Sequence, residues 1–133
     1  MRRSTWLAVA AISLLGLSGC ADLPFLHGPP RFVVFFQPNS AALRAPGRAV
    51  IANAARAAAN HPLAPVTVVG AADTKGSTPD NIRLSNARAA AVAAQLIADG
   101  VASTRIAVEG LGPVGSPPAS EQASRTATIT IGR

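Results

Sequence analysis

The chain has 133 residues, of which 49% are apolar, 14% charged and 4% aromatic, with 11 Gly, 11 Pro, a single Cys and no Tyr. That length allows one domain of ordinary size, or a small domain plus an export segment, and the composition excludes a disordered chain, a disulfide scaffold and a collagen or coiled-coil repeat. The formal charge of +6 comes from 12 Lys+Arg against 6 Asp+Glu scattered along the chain without a basic run of five, which argues against nucleic acid as a partner.

Met1-Arg2-Arg3 opens the chain with cations, and Trp6 to Leu17 is apolar apart from Ser13 and Gly16. A bilayer-spanning helix takes about 20 apolar residues, so this stretch is too short and suits a secretory signal peptide instead. It ends Leu17-Ser18-Gly19-Cys20, which resembles the lipobox of bacterial lipoprotein precursors. The resemblance implies that residues 1–19 are removed, that Cys20 receives a diacylglycerol thioether and an acylated amine, and that the protein meets a membrane through this lipid. Ala21, rather than Asp, after the cysteine implies sorting to the outer membrane, with the rest facing the periplasm. The alternative is an ordinary signal peptide with a chance or buried cysteine. Residues 20–31, with Pro24, Gly28, Pro29 and Pro30, read as a semi-rigid tether. Fully extended, Ala21 to Arg31 reaches at most about 35–40 Å.

Residues 32–133 read as one domain. Phe32 to Phe36 is an apolar run before Pro38 and predicts a strand buried on both faces. A helix from about Pro46 to Asn60 follows, with Val50, Ala54, Ala57 and Ala58 at helical spacing and His61-Pro62 as its stop. Val66 to Val69 predicts a second strand ending at Gly70, and Ala71 to Thr78 a loop. Pro79 opens a second helix with the stripe Ala89, Val92, Ala93, Leu96, Ile97 and a stop at Gly100. Arg105 to Glu109 predicts a third strand, Gly110 to Ser120 a loop, and Thr126 to Ile131, by its alternation, a fourth strand with one wet face. The order β-α-β-α-β-β implies an α+β fold, a mixed four-stranded sheet with two helices on one face.

Ligands in such sheets sit beyond the carboxyl ends of parallel strands, which draws attention to Asp73 and the start of the second helix. Asn81, Ser85 and Arg88 share a face there, and Arg88 also lies in the row Leu84, Arg88, Val92, Leu96 beside the core stripe. An arginine in that place needs an acceptor, and Asp73 is the expected one. Geometry leaves two roles open for this pair, a structural ion pair or a ligand clasp.

The run Gly70-Ala71-Ala72-Asp73-Thr74-Lys75-Gly76-Ser77, followed by Asn81-Ile82-Arg83-Leu84-Ser85-Asn86-Ala87-Arg88-Ala89, resembles the signature of the OmpA-like C-terminal domain, a family that includes the peptidoglycan-associated lipoproteins. Phe36 to Leu43, Val108 to Gly112 and Ser124-Arg125 resemble its flanking motifs. The resemblance implies a non-catalytic module, without cofactor or metal, that binds the diaminopimelate of the peptidoglycan stem peptide. It assigns Asp73 to the ammonium and Arg88 to the carboxylate, with Asn39, Asn81 and Arg125 as further polar contacts. It also implies a link between outer membrane and cell wall and leaves room for other envelope proteins as partners. The chain departs from the family at Ala71-Ala72, where His-Thr is usual, at Leu111 in place of an aromatic, and at Thr126 in place of an arginine. A structural or partner-binding lipoprotein that kept the fold and lost wall binding is therefore the alternative.

Other motifs carry no chemistry. Gly110 to Gly115 spells G-x-G-x-x-G, but Ser116-Pro117-Pro118 follows where a dinucleotide site needs a helix. His27 and His61 lack neighbours for a zinc site, and no nucleophile elbow is present.

Overall fold

The structure, a computed structural model, describes residues 28–114 and 122–132. Cys20, the signal segment and most of the tether lie outside the described residues. The elements run β1 (Arg31–Phe35), α1 (Ala45–Asn60), β2 (Val66–Ala72), α2 (Thr78–Ala98), a 3-10 turn (Ser103–Arg105), β3 (Ile106–Pro113) and β4 (Thr126–Ile131). The sheet order is β1-β4-β2-β3, with β2 and β3 parallel and β4 antiparallel to both β1 and β2. Since β1 and β2 both oppose β4, they point the same way and end at the same edge of the molecule.

Alternation decides which face of the sheet is covered. Val34, Val66, Val68, Ala127, Ile129 and Ile131 turn inward and meet Ile51, Ala54 and Ala58 of α1 and Ala89, Val92 and Leu96 of α2 in one core. The many alanines let the helices lie close to the sheet. The opposite face carries Val33, Val69, Thr67, Thr128 and Thr130, partly or fully exposed. The first strand is consequently not buried on both faces: β1 is an edge strand, helices cover only one side, and Val33 and Phe35 face outward. Two further boundaries move. The second strand continues to Ala72 and the third to Pro113, because pairing with a neighbouring strand satisfies backbone that sequence alone assigns to loops. Ile97 is half exposed rather than part of the core.

Local signals set the ends of α2. Ser77 is its N-cap, accepting from the Asp80 amide, and Pro79 sits in the first turn, while Gly100 adopts φ +101° just past its C-terminus. Asp80 bonds back to the Ser77 hydroxyl and pairs with Arg83, and these two contacts hold its carboxyl below the usual value of 3.8. A carboxyl lowered in the folded state stabilises above its unfolded pKa, and that contribution is lost as pH falls through the folded value. Asp80→Asn is therefore expected to lower the melting temperature slightly at neutral pH, with the gap to wild type closing in thermal melts below pH 3.8.

Candidate functional site

The end of β2 delivers Asp73 to a short loop, and α2 begins a few residues after it. The Lys75 amide donates to Asp73 Oδ1 at 3.1 Å, an Asx-type turn that fixes the carboxylate. Asn81, buried in the first turn of α2, donates from Nδ2 to the Lys75 carbonyl at 2.9 Å and closes the loop against the helix. The other carboxylate oxygen, Asp73 Oδ2, lies 3.9 Å from Arg125 Nη1, with the two side chains 12% and 17% exposed. Arg125 sits just before β4, where its carbonyl accepts from the Phe36 amide at 2.9 Å.

Arg88 lies in the interior, where its place beside the core stripe puts it, but its acceptors differ from the expected one. It is fully buried, and its guanidinium is divided among three backbone carbonyls. Nε donates to Ser40 at 2.9 Å, Nη1 to Ala71 at 2.9 Å and Nη2 to Gln37 at 3.1 Å. Its Cζ lies 5.4 Å from the Phe36 ring centroid, within cation–π reach. Burial pulls the guanidinium below its ordinary pKa, Asp73 opposes that shift by charge, and Arg125 adds to it. Two expectations change with this geometry. The acceptors of Arg88 are carbonyls, and among the described residues the cation within ion-pair distance of Asp73 is Arg125. The physical reason is shape: a planar fork with five donors is satisfied by carbonyls converging from two chain segments, which one carboxylate cannot replace in a closed space.

Arg88 thus ties the turn at 37–40 to the end of β2. Asn39 occupies that turn with φ +51° and is exposed, between the two residues whose carbonyls Arg88 holds. The turn is fixed further by the Ala42 amide donating to Ser40 Oγ at 3.1 Å. Ser85, on the same face of α2 as Asn81 and Arg88, is fully buried; its hydroxyl accepts from the Gly112 amide at 2.8 Å and pins β3 to the helix. The structure therefore gathers Asp73, Arg125, Asn81 and Arg88 at one end of the sheet, with Asn39 on the adjoining turn. The contributions that sequence reasoning missed are the carbonyls of Gln37, Ser40 and Ala71. Side-chain identity does not report them, although the motif from Phe36 to Leu43 marks where two of them lie.

Among the described residues, no group of three or more His, Cys, Asp or Glu side chains is placed to hold a metal ion, and no helix is long and apolar enough to cross a membrane. Comparison with known proteins matches the chain to several relatives. The Escherichia coli (strain K12) protein named Probable lipoprotein YiaD is 39% identical over 80 residues, 60% of this chain, and the match spans 36% of that protein. Outer membrane protein A of Bordetella avium is 28% identical over 131 residues, covering 87% of this chain and 68% of that one. The crystal structure of the peptidoglycan-associated lipoprotein from Burkholderia pseudomallei superposes with a TM-score of 0.68 at 25% identity, over 75% of this chain and 89% of that one. The periplasmic domain of Helicobacter pylori MotB (residues 78-256) shares the fold alone, with a TM-score of 0.62 at 19% identity over 74% of this chain and 69% of that one. The OmpA family profile covers residues 35–129, so the chain belongs to the OmpA family.

Proposed function

We propose that this domain binds peptidoglycan without catalysis, through the charged crevice at the end of β2. In this reading a lipid on Cys20 holds it to the periplasmic side of the outer membrane. The observation that carries the reading is the largely buried pairing of Asp73 with Arg125, on a loop held by Asn81 and backed by a buried arginine. The free end of diaminopimelate carries an ammonium and a carboxylate side by side. Asp73 accepts from the ammonium, and Arg125 offers the donor for the carboxylate. Arg88 lends positive potential from behind and keeps Asn39 and its turn against the crevice. Nothing in the arrangement has to move a proton or attack a bond. The similarity to a peptidoglycan-associated lipoprotein supports the reading.

A charge-assisted hydrogen bond contributes about 1.5–3 kcal/mol, so losing one weakens binding roughly tenfold to hundredfold. Asp73→Asn retains an oxygen for the Lys75 amide and removes only the charge. In sedimentation with purified sacculi the wild type is expected in the pellet and Asp73→Asn in the supernatant, with the variant still folded in thermal melts and less destabilised than any Arg88 variant. A wild type that stays in the supernatant overturns the reading. It would favour the second one, an envelope lipoprotein with the fold but no wall binding, to which the small, buried Ala71 and Ala72 beside Asp73 already point.

A further inference from the structure

Leu63 is 96% exposed, against 40–56% for the other exposed large apolar side chains among the described residues. It does not sit on a loose loop. The Ala64 amide donates to the His61 carbonyl at 3.0 Å, and Arg105 donates to the carbonyls of Ala58, His61 and Ala64 at 2.7 to 3.1 Å. Pro62 and Pro65 stiffen the turn on either side. The fold thus holds one leucine out into solvent on a rigid support.

The position of this turn gives that exposure a meaning. The Pro30 carbonyl accepts from the Ile131 amide at 3.0 Å, and the Pro65 carbonyl accepts from the Gly132 amide at 2.8 Å. The end of the tether and the Leu63 turn are therefore held by consecutive residues at the close of β4. Because β1 and β2 run in the same direction, both start at this end, and Asp73 lies at the other. Gly28 is only eight residues on from Cys20, at most about 26–29 Å of chain. A membrane holding Cys20 lies within that distance of Gly28, two residues before the Pro30 that shares this end of the sheet with the Leu63 turn, and the turn from His61 to Pro65 carries no acidic residue to repel it.

We propose that the turn His61–Pro65 rests on the lipid surface that holds the N-terminus, with Leu63 in the boundary between headgroups and acyl chains and the Asp73 crevice directed away from it. The proposal rests on lipid attachment at Cys20. It gives the domain a standing orientation, one end on the membrane and the other, roughly the 30 Å length of α2 away, facing the wall. A short tether favours such contact, since it keeps the turn at high effective concentration near the bilayer.

The sequence supplies a clean probe: its one Trp is Trp6 and it has no Tyr, so the processed lipoprotein contains neither. Leu63→Trp and Thr74→Trp, at the two ends, make single-tryptophan reporters, and Pro62→Trp is a second one for the turn. Each lipidated protein is reconstituted into phosphatidylethanolamine–phosphatidylglycerol vesicles, with and without brominated acyl chains, and checked by flotation. Emission from the Leu63→Trp protein is expected to shift to the blue and to be quenched by bromine, while the Thr74→Trp protein shows neither effect. A protein that floats while both turn reporters stay solvent-like and unquenched overturns the proposal and leaves the anchor standing. Failure to float overturns the anchor itself. Quenching at both ends overturns the upright orientation, and a blue shift in lipid-free solution that grows with protein concentration assigns the turn to a second copy instead.

Discussion

Replacing Arg88 with methionine is expected to cost about 3–5 kcal/mol of folding stability and to abolish sacculus binding with Asp73 intact. Methionine fills much of the space but donates nothing, so the carbonyls of Ser40, Ala71 and Gln37 lose their shared donor. A buried acceptor left without a partner costs about 1–3 kcal/mol; the Ala71 bond is buried, the Ser40 and Gln37 bonds are part-buried, and the Gln37 carbonyl also accepts from the Ser40 amide at 3.3 Å. Replacing a buried ion pair by apolar groups is sometimes neutral, because both partners go. That escape is closed here, since no substitution removes a carbonyl. Lysine is the informative companion. It keeps the charge, but its compact ammonium cannot span three acceptors arriving from two segments, so Arg88→Lys should fall between wild type and Arg88→Met in urea unfolding. Methionine stability within about 1 kcal/mol of wild type would remove Arg88 from its structural role. A clear contrast with Asp73→Asn is expected, because that change lowers binding while costing much less stability.

The sequence carried the order of elements because each has its own periodicity and punctuation. Gly100, Pro79 and the alternation of Thr126 to Ile131 each act within a few residues, and each appears in the structure where the pattern places it. The family signature likewise marked Asp73, Asn81 and Arg88 as neighbours, since one helix face and one strand end are enough to bring them together. The partners of Arg88 were not legible. Two of its acceptors lie 48 and 51 residues away in a turn whose carbonyl directions depend on the whole fold, and a carbonyl looks the same under every side chain. The exposure of Val33 and Phe35 was hidden for a related reason. An apolar run fits a strand buried on both faces, and only the placement of β1 at the sheet edge, with β4 inserted between it and β2, shows otherwise.

Gly70→Ala is expected to be the other severe substitution, destabilising by about 3 kcal/mol or more, at the top of the range for overpacking. Gly70 lies in β2 beneath α2, and a Cβ there would stand 2.0 Å from the Ser85 carbonyl oxygen and 3.0 Å from the Ala89 amide nitrogen. Both atoms are helix backbone, so no side chain can rotate aside; the helix must lift from the sheet. Lifting it disturbs the crevice as well as the core. Ser85 and Arg88 lie on this part of α2, one holding Gly112 and the other holding Gln37, Ser40 and Ala71. Weaker sacculus binding should therefore accompany the loss of stability, even at temperatures where the variant remains folded. Gly28→Ala is the control, because nothing lies within 4 Å of the added carbon, and it should leave both measurements unchanged. A folded Gly70→Ala protein with wild-type stability would mean that α2 does not sit as close to β2 as these distances require. The coupling between helix placement and the Asp73 crevice would then fail with it.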